Sequence, residues 1–244
     1  MQQLRIGQQM GRPSLILSSL LLLLLLAAFF AQRRGESNNA GGLNHGSNRV
    51  TAEARKHTDA ELELLLAGLS SADTDKREGA KKALIAQAKE SEERRQAVVR
   101  ALLERLDRPD VRSQLLYPSF SYLWASGAEV LCVLRASEAV DFLVRCIDCG
   151  AITEPASSTY HHRPAIRALI GMGRIAIPQL SQALYDSKQE VRFYTAFCLG
   201  NIGGGGVGVE ETRAALVRAL ETETDPDVRV EIEASIATID RWPK

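Results

Sequence analysis

The stretch "DSKQEVRFYTAFCLGNIG", from Asp186 to Gly203, has the pattern of one complete amphipathic helix. Its apolar face follows the spacing i, i+4, i+7, i+8 and i+11, with Val191, Thr195, Cys198, Leu199 and Ile202. This spacing predicts an α-helix that buries one stripe of side chains. Ser187 and Glu190 fit an S-x-x-E capping box at its start, and Gly203 predicts its end.

Partial copies of this helix occur elsewhere in the chain. A C-terminal segment repeats the same five spacings with Val228, Ile232, Ser235, Ile236 and Ile239. The helix starts are also alike, because "RPDVR", "QEVR" and "DPDVR" each place an acid, a valine and an arginine in order. These motifs end at Arg112, Arg192 and Arg229. In the last copy, Asp225 and Pro226 suit the N-cap and first helical positions.

Each copy is preceded by another apolar stripe of helical spacing, so the helices come in pairs. Equivalent positions of these first helices are 37, 41, 37 and 36 residues apart and are Leu69, Leu106, Ile147, Leu184 and Leu220. A period of this length in helix pairs is typical of an α-solenoid, in which neighbouring pairs stack to bury their apolar faces. The sequence therefore predicts an all-α fold.

The pattern resembles HEAT repeats, particularly the compact bacterial HEAT-like class first described in phycobilisome lyases. The resemblance rests on the opening stretch, "DPDVRVEIEASIATI", "AIRALIGMGRIAIPQL" and the weaker "DKREGAKKALIAQA", and covers roughly residues 60–240. It implies a right-handed α-solenoid of about five helix pairs. It also implies a ladder of Asp and Arg side chains along the array, with Arg112, Arg192 and Arg229 as members.

Two units depart from the HEAT-like pattern. Lys76 stands in the first unit where valine is expected. In the second unit, "LLYPSFSYLW" brings an insertion, and Pro118 is expected to interrupt the second helix.

The N-terminal part reads as a membrane signal. Ser14–Ala31 contains 18 residues without a charge, and a helix of that length reaches roughly 27 Å, close to the hydrocarbon thickness of a bilayer. An uncleaved anchor is favoured over a cleaved secretory signal, because Phe29 would stand at position −3 of the cleavage site. The predicted organisation is a basic N-terminus (1–13), the anchor or signal segment (14–31), a flexible Gly/Asn/Ser-rich linker (32–57) and the repeat domain (58–244).

The charge distribution bears on location and partners. Residues 1–34 hold four arginines and no acid, and the remaining 26 basic and 30 acidic residues give the rest of the chain a net charge of −4. Arg5 and Arg12 precede the apolar segment, so the body is expected on the extracytoplasmic side, although Arg33 and Arg34 weaken that orientation. Secretion after signal cleavage is the alternative. A mildly acidic body argues against nucleic acid as a partner.

Cys146 and Cys149 form a CxxC motif, which could belong to a redox pair or, with His161 or His162, to a metal site. The motif follows the stripe 140–147 and precedes Gly150, so it is expected at a helix C-terminus, where the helix dipole disfavours a thiolate. The spacing to His161 is not a standard zinc spacing. Small packing residues or a local disulfide are favoured, and no metal site or cofactor is predicted.

Two motifs that would suggest catalysis are incomplete. The run "GGGGVG", residues 203–208, lacks the Lys-Ser/Thr of a P-loop and follows a helix, so it is interpreted as a flexible connection. The iron-binding HEAT enzymes, the deoxyhypusine hydroxylases, use His-Glu pairs, and no histidine of this chain precedes a glutamate. No catalytic residue is predicted.

The candidate binding residues come from the second helices, which line the concave side in the fold that the resemblance implies. They are Gln189, Arg192, Phe193, Tyr194 and Arg229. A second candidate set is the aromatic stretch Tyr117, Phe120, Tyr122 and Trp124, for which burial in the core is the competing interpretation. The function predicted is a membrane-tethered scaffold that binds a protein partner; the alternative is a phycobilin-lyase-like or other protein that handles an apolar ligand.

Overall fold

The computed structural model describes residues 59–113, 118–149 and 163–242. Every regular element within these ranges is a helix, so the predicted all-α class is confirmed for the described part. The predicted anchor at 14–31 and the linker at 32–57 lie outside these ranges. Among the described helices, none combines the length and the apolar composition needed to cross a bilayer.

The helices follow one another with short connections. They are α1 (59–68), α2 (Thr74–Ala88), α3 (Glu92–Leu106), α4 (Pro109–Ser113), α5 (Pro118–Val133), α6 (Val140–Arg145), α7 (Pro164–Met172), α8 (Ile177–Ala183), α9 (Gln189–Gly204), α10 (Val209–Thr222) and α11 (Pro226–Asp240). Short 3₁₀ turns, Ser137–Ala139 and Gly173–Ile175, precede α6 and α8. Pro118, which was expected to interrupt the second helix, stands at the start of α5, and residues 114–117 between α4 and α5 lie outside the described ranges.

The helices pack in two sets that follow the order of the chain. The second helices α2, α5, α7, α9 and α11 each contact the next, and α6, α8 and α10 contact one another in the same way. Within a pair, α6 packs on α7, α8 on α9 and α10 on α11. The resulting core is almost entirely aliphatic and runs from Leu66 to Ile239.

The apolar stripes predicted from periodicity are the buried faces of α9 and α11. The stripe from Val191 to Ile202 is buried throughout. In α11, Val228, Ile232, Ser235 and Ile239 are buried, whereas Ile236 is only partly covered. The predicted stripe in α11 is therefore correct at four of its five positions.

The predicted start and stop of α9 are both wrong by one or more residues. The N-cap of α9 is Lys188, which makes no side-chain cap bond. The Asp186 carboxylate accepts the Lys188 backbone N–H at 2.8 Å in the turn before it, so the helix begins one residue later than the capping box requires. Gly203 lies inside α9, which ends at Gly204. The first residue after α9 with positive φ is Gly206, at +80°.

The predicted start of α11 is confirmed. The Asp225 carboxylate accepts the backbone N–H groups of Asp227 and Val228 at 3.0 and 3.1 Å, and Pro226 occupies the first turn. The same device begins α2, where Asp73 caps the helix. These bonds satisfy amides that a helix start otherwise leaves unpaired.

Replacing the two predicted capping residues by alanine should separate the true cap from the false one. Asp225→Ala is expected to lower the free energy of unfolding by about 1 kcal/mol, because two amides lose their acceptor. Ser187→Ala is expected to leave it unchanged, because Ser187 is exposed and precedes the N-cap. Urea denaturation followed by far-UV circular dichroism measures both. A loss for Ser187→Ala equal to that for Asp225→Ala would contradict this assignment.

Candidate binding groove

An open groove of about 540 Å³ lies between the first turns of α9 and α11. It brings together residues of both helices, namely Gln189, Glu190, Phe193, Tyr194, Asp227, Val230 and Glu231. Three of the residues that the sequence nominated for binding are among them: Gln189, Phe193 and Tyr194. Whether they contact a partner stays a prediction.

The groove exists where it does because the other ends of the two helices touch. Gly200 and Gly203 of α9 face Ser235 and Ile239 of α11, and the Ser235 hydroxyl donates to the Ala196 carbonyl at 3.0 Å. Glycine allows this approach because it has no Cβ. These contacts join the C-terminal half of α9 to the C-terminal half of α11. The two helices therefore run in the same direction, and the groove lies between their N-terminal ends.

Both sides of the groove are made of equivalent repeat positions. Val191 and Val228 occupy the same place in their stripes, 37 residues apart. At this offset Glu190 matches Asp227, and Phe193 matches Val230. The sequence nominated three residues on the α9 side of the groove, although the offset was already visible in the stripes and would have added Val230 and Glu231, the equivalents of Phe193 and Tyr194.

Hydrogen bonds and burial hold the groove residues in place. Gln189 Nε2 donates to Asp225 Oδ1 at 3.0 Å, which links α9 to the cap of α11. Tyr194 is largely buried, and the Arg163 guanidinium lies over its ring, 4.4 Å from the centroid. Burial raises the pKa of the Glu231 carboxyl, whose Oε1 lies 3.2 Å from Ser235 Oγ and shares that hydroxyl's one proton with the Ala196 carbonyl.

Arg192 and Arg229 lie on the same helices but are engaged elsewhere. Arg192 forms two hydrogen bonds with the Glu223 carboxylate, at 2.7 and 3.1 Å, and donates to the Asp186 carbonyl at 3.0 Å. The bond from Arg192 lowers the pKa of Glu223. Arg229 donates to the carbonyls of Leu220 and Glu223. Each guanidinium therefore fastens the turn that precedes its own helix.

A third arginine with this role was missed from the sequence. Arg77 stands four residues after the N-cap Asp73, as Arg229 stands four residues after Asp225, and it donates to the carbonyls of Ser71 and Ala72 at 2.7 and 2.9 Å. The motif was not recognised because the exposed Lys76 stands where the other copies have valine. An acid four residues before an arginine is the signal that would have found it. The side chain of Arg112 lies outside the described part.

The aromatic stretch does not form one exposed patch in the described residues. Trp124 is 2% exposed and stacks on Phe142 with ring centroids 5.5 Å apart. Trp124 is therefore a core residue, and its nomination as an exposed binding residue is wrong. The Arg77 guanidinium lies over the ring of half-buried Tyr122, 4.2 Å from the ring centroid. The side chains of Tyr117 and Phe120 lie outside the described part.

The cysteine motif lies where the sequence placed it, at the end of a helix. Cys146 is the C-cap of α6 and is buried, and Cys149 is half-buried in the turn that follows. His161 lies outside the described residues. Within 59–113, 118–149 and 163–242, no three His, Cys, Asp or Glu side chains form a cluster that could hold a metal ion.

Comparison with known proteins assigns no family to the chain. No family model and no curated protein matches the chain. Two engineered proteins with known crystal structures are similar to it. One is 22% identical with a TM-score of 0.35, over 73% of this chain and 79% of its own. The other is 20% identical with a TM-score of 0.35, over 75% of this chain and 48% of its own. Similarity this low carries no argument about function.

Proposed function

We propose that this protein is a membrane-tethered scaffold that binds a protein partner through the face containing the α9/α11 groove. Residues 14–31 form its anchor, the body lies on the extracytoplasmic side, and it has no catalysis of its own. The observation that carries the proposal is the groove itself, which gathers Gln189, Phe193 and Tyr194 with Val230 and Glu231, the α11 equivalents of the last two.

The proposed architecture is a right-handed α-solenoid of HEAT-like helix pairs. Its support is the serial packing of α5, α7, α9 and α11, with α6, α8 and α10 following the same order. Stacked pairs of this kind present their second helices as one extended surface, which suits the binding of a protein segment.

The alternative, handling of an apolar ligand, has less support. A more apolar cavity between α5 and α7, lined by Ala125, Cys132, Val133 and Pro164 among others, measures about 120 Å³. Sites for small organic molecules are usually about 300–1,000 Å³. The α9/α11 groove reaches that size but carries three carboxylates, which suit a charged partner better than an apolar chromophore.

A bulky side chain placed in the groove should prevent the partner protein from binding. Val230 is 66% exposed at the groove and Leu64 is 74% exposed on α1, so a tryptophan at either position adds a large ring without disturbing the core. Full-length wild type, Val230→Trp and Leu64→Trp are compared in membranes of the source cells by gentle amine-reactive cross-linking, capture and mass spectrometry. We expect one protein to be captured by wild type and Leu64→Trp and lost with Val230→Trp.

Two results would overturn the proposed function. The first is the capture of no specific protein by the wild type under these conditions. The second is equal capture by wild type and Val230→Trp, which would move the contact away from the groove.

A further inference from the structure

We propose that the groove binds a basic segment of the partner protein, whose Lys or Arg side chains insert between α9 and α11. This inference rests on the proposed function and specifies the chemistry of the partner.

The groove is lined by acids and by no base. Glu190, Asp227 and Glu231 contribute carboxylates, and the remaining lining residues are neutral. The surrounding sequence is acidic too, with 11 acidic and 5 basic residues between positions 186 and 240, a net charge of −6. Since residues 35–244 together carry only −4, the negative charge of the body is concentrated in its last two helix pairs.

The neighbouring bases do not neutralise this charge. Arg192 and Arg229 point into the turns before their helices, as described above. Arg163, which lies over the Tyr194 ring, donates to the Asp148 carbonyl at 2.7 Å, and Lys188 pairs with the Asp148 carboxylate at 3.4 Å. Among the ion pairs of the described residues, none involves a carboxylate that lines the groove. No side-chain cation therefore compensates these carboxylates, and of the three only Glu231 lies outside the first turn, where the helix N-terminus itself favours a carboxylate.

Glu231 differs from Glu190 and Asp227 because its carboxylate is half-buried, whereas theirs are exposed. Its hydrogen-bond partner is the neutral Ser235 hydroxyl, and burial without a cation raises its pKa. Desolvating a carboxylate is unfavourable unless a positive group compensates it. A charge-assisted bond from an ammonium or guanidinium group would relieve this cost at Glu231 more than at an exposed acid.

The apolar part of the groove selects a basic side chain over a bare cation. Val230 and half-buried Phe193 flank the acids, and Lys and Arg place their methylene stems on such surfaces while the charged end reaches polar groups. A metal ion is a poorer fit, because the described residues hold no cluster of ligands for one. The volume of about 540 Å³ accommodates side chains from an extended segment.

The test uses the purified full-length chain in detergent and a fluorescein-labelled ten-residue peptide of alternating Lys and Leu, followed by fluorescence anisotropy. Its counterpart has Glu in place of Lys. We expect the Lys peptide to bind and the Glu peptide not to bind. The triple variant Glu190→Gln, Asp227→Asn and Glu231→Gln keeps the shape of the groove and should weaken binding about tenfold or more.

A matched control removes the same charge elsewhere. Glu210→Gln, Glu221→Gln and Glu233→Gln neutralise three exposed acids that do not line the groove, and this triple variant should bind within about twofold of wild type. Absence of Lys peptide binding, or equal weakening by both triple variants, would overturn the inference.

Zero-length carbodiimide coupling locates the contact, because it joins carboxylates to lysine amines that touch them. With the peptide bound, the expected coupling sites are Glu190, Asp227 and Glu231. Coupling of these acids to Lys56 of the same chain would instead assign the groove to its own linker and overturn the inference.

The two proposals can fail separately. If the partner found by the Val230→Trp experiment touches the groove without a Lys or Arg, the proposed function stands and this inference fails. If no partner is captured, the proposed function fails whatever the peptide does.

Discussion

Gly200→Ala is expected to lower the free energy of unfolding by about 2–3 kcal/mol, since a methyl group placed there has no room. It would lie 2.6 Å from the Ser235 Cβ and 2.9 Å from the Ser235 Cα. The second of these is backbone, so the clash is relieved only by moving α11 away from α9. That movement would also stretch the bond from the Ser235 hydroxyl to the Ala196 carbonyl, 3.0 Å long in the native packing.

The same substitution at Gly79 is the control. Gly79 lies in α2, and an added Cβ there meets nothing within 4 Å. Gly79→Ala should raise the free energy of unfolding by about 0.5–1 kcal/mol, because alanine favours the helix. Urea denaturation of the purified full-length chain, followed by circular dichroism, compares the two. A stabilising effect at both positions would show that α9 and α11 do not pack as closely as described.

The helices were predictable because burial imposes a period on the sequence. Val191 and Val228 stand at matching positions, and each begins a stripe that the core must cover. The boundary of α9 was not predictable in the same way. In "GNIGGGG" a glycine that turns the chain and a glycine that permits helix contact look alike, and only the placement of Ile239 against Gly203 distinguishes them.

Three of the seven residues that line the candidate groove were named from the sequence. Gln189, Phe193 and Tyr194 were named because they lie off the buried stripe of a second helix, yet Tyr194 proved largely buried. Its burial depends on contacts from outside α9, including Arg163, that no local pattern reveals. Arg192 and Arg229 were named from the sequence but Arg77 was not, and the acid that pairs with Arg192 is Glu223, 31 residues away in the next helix connection.

Arg192→Ala is expected to lower the free energy of unfolding by about 2 kcal/mol. The side chains of Arg192 and Glu223 are 17% and 6% exposed, so truncating the arginine leaves a carboxylate buried without its cation. It also removes the donor to the carbonyls of Asp186 and Ser187, which close the turn before α9. The fourth and fifth helix pairs, α8/α9 and α10/α11, are joined by this residue.

Arg213→Ala is the matched control, because Arg213 also contacts an acid of the adjacent helix, Asp240, at 2.7 Å. Both of these side chains are well exposed, so water and salt screen the pair and its loss should not shift the urea midpoint measurably. Equal losses for Arg192→Ala and Arg213→Ala would show that the Arg192–Glu223 pair behaves as an ordinary surface contact.

The pH dependence of the Arg192→Ala effect identifies its cause. The bond from Arg192 lowers the folded-state pKa of Glu223, so the stability it contributes is present above the unfolded glutamate pKa of about 4.3 and is lost as pH falls through the folded value. The difference between wild type and Arg192→Ala should therefore be constant near neutral pH and shrink below about pH 4. A difference that stays the same down to pH 3 would assign the loss to the turn carbonyls, which do not titrate, instead of to the carboxylate.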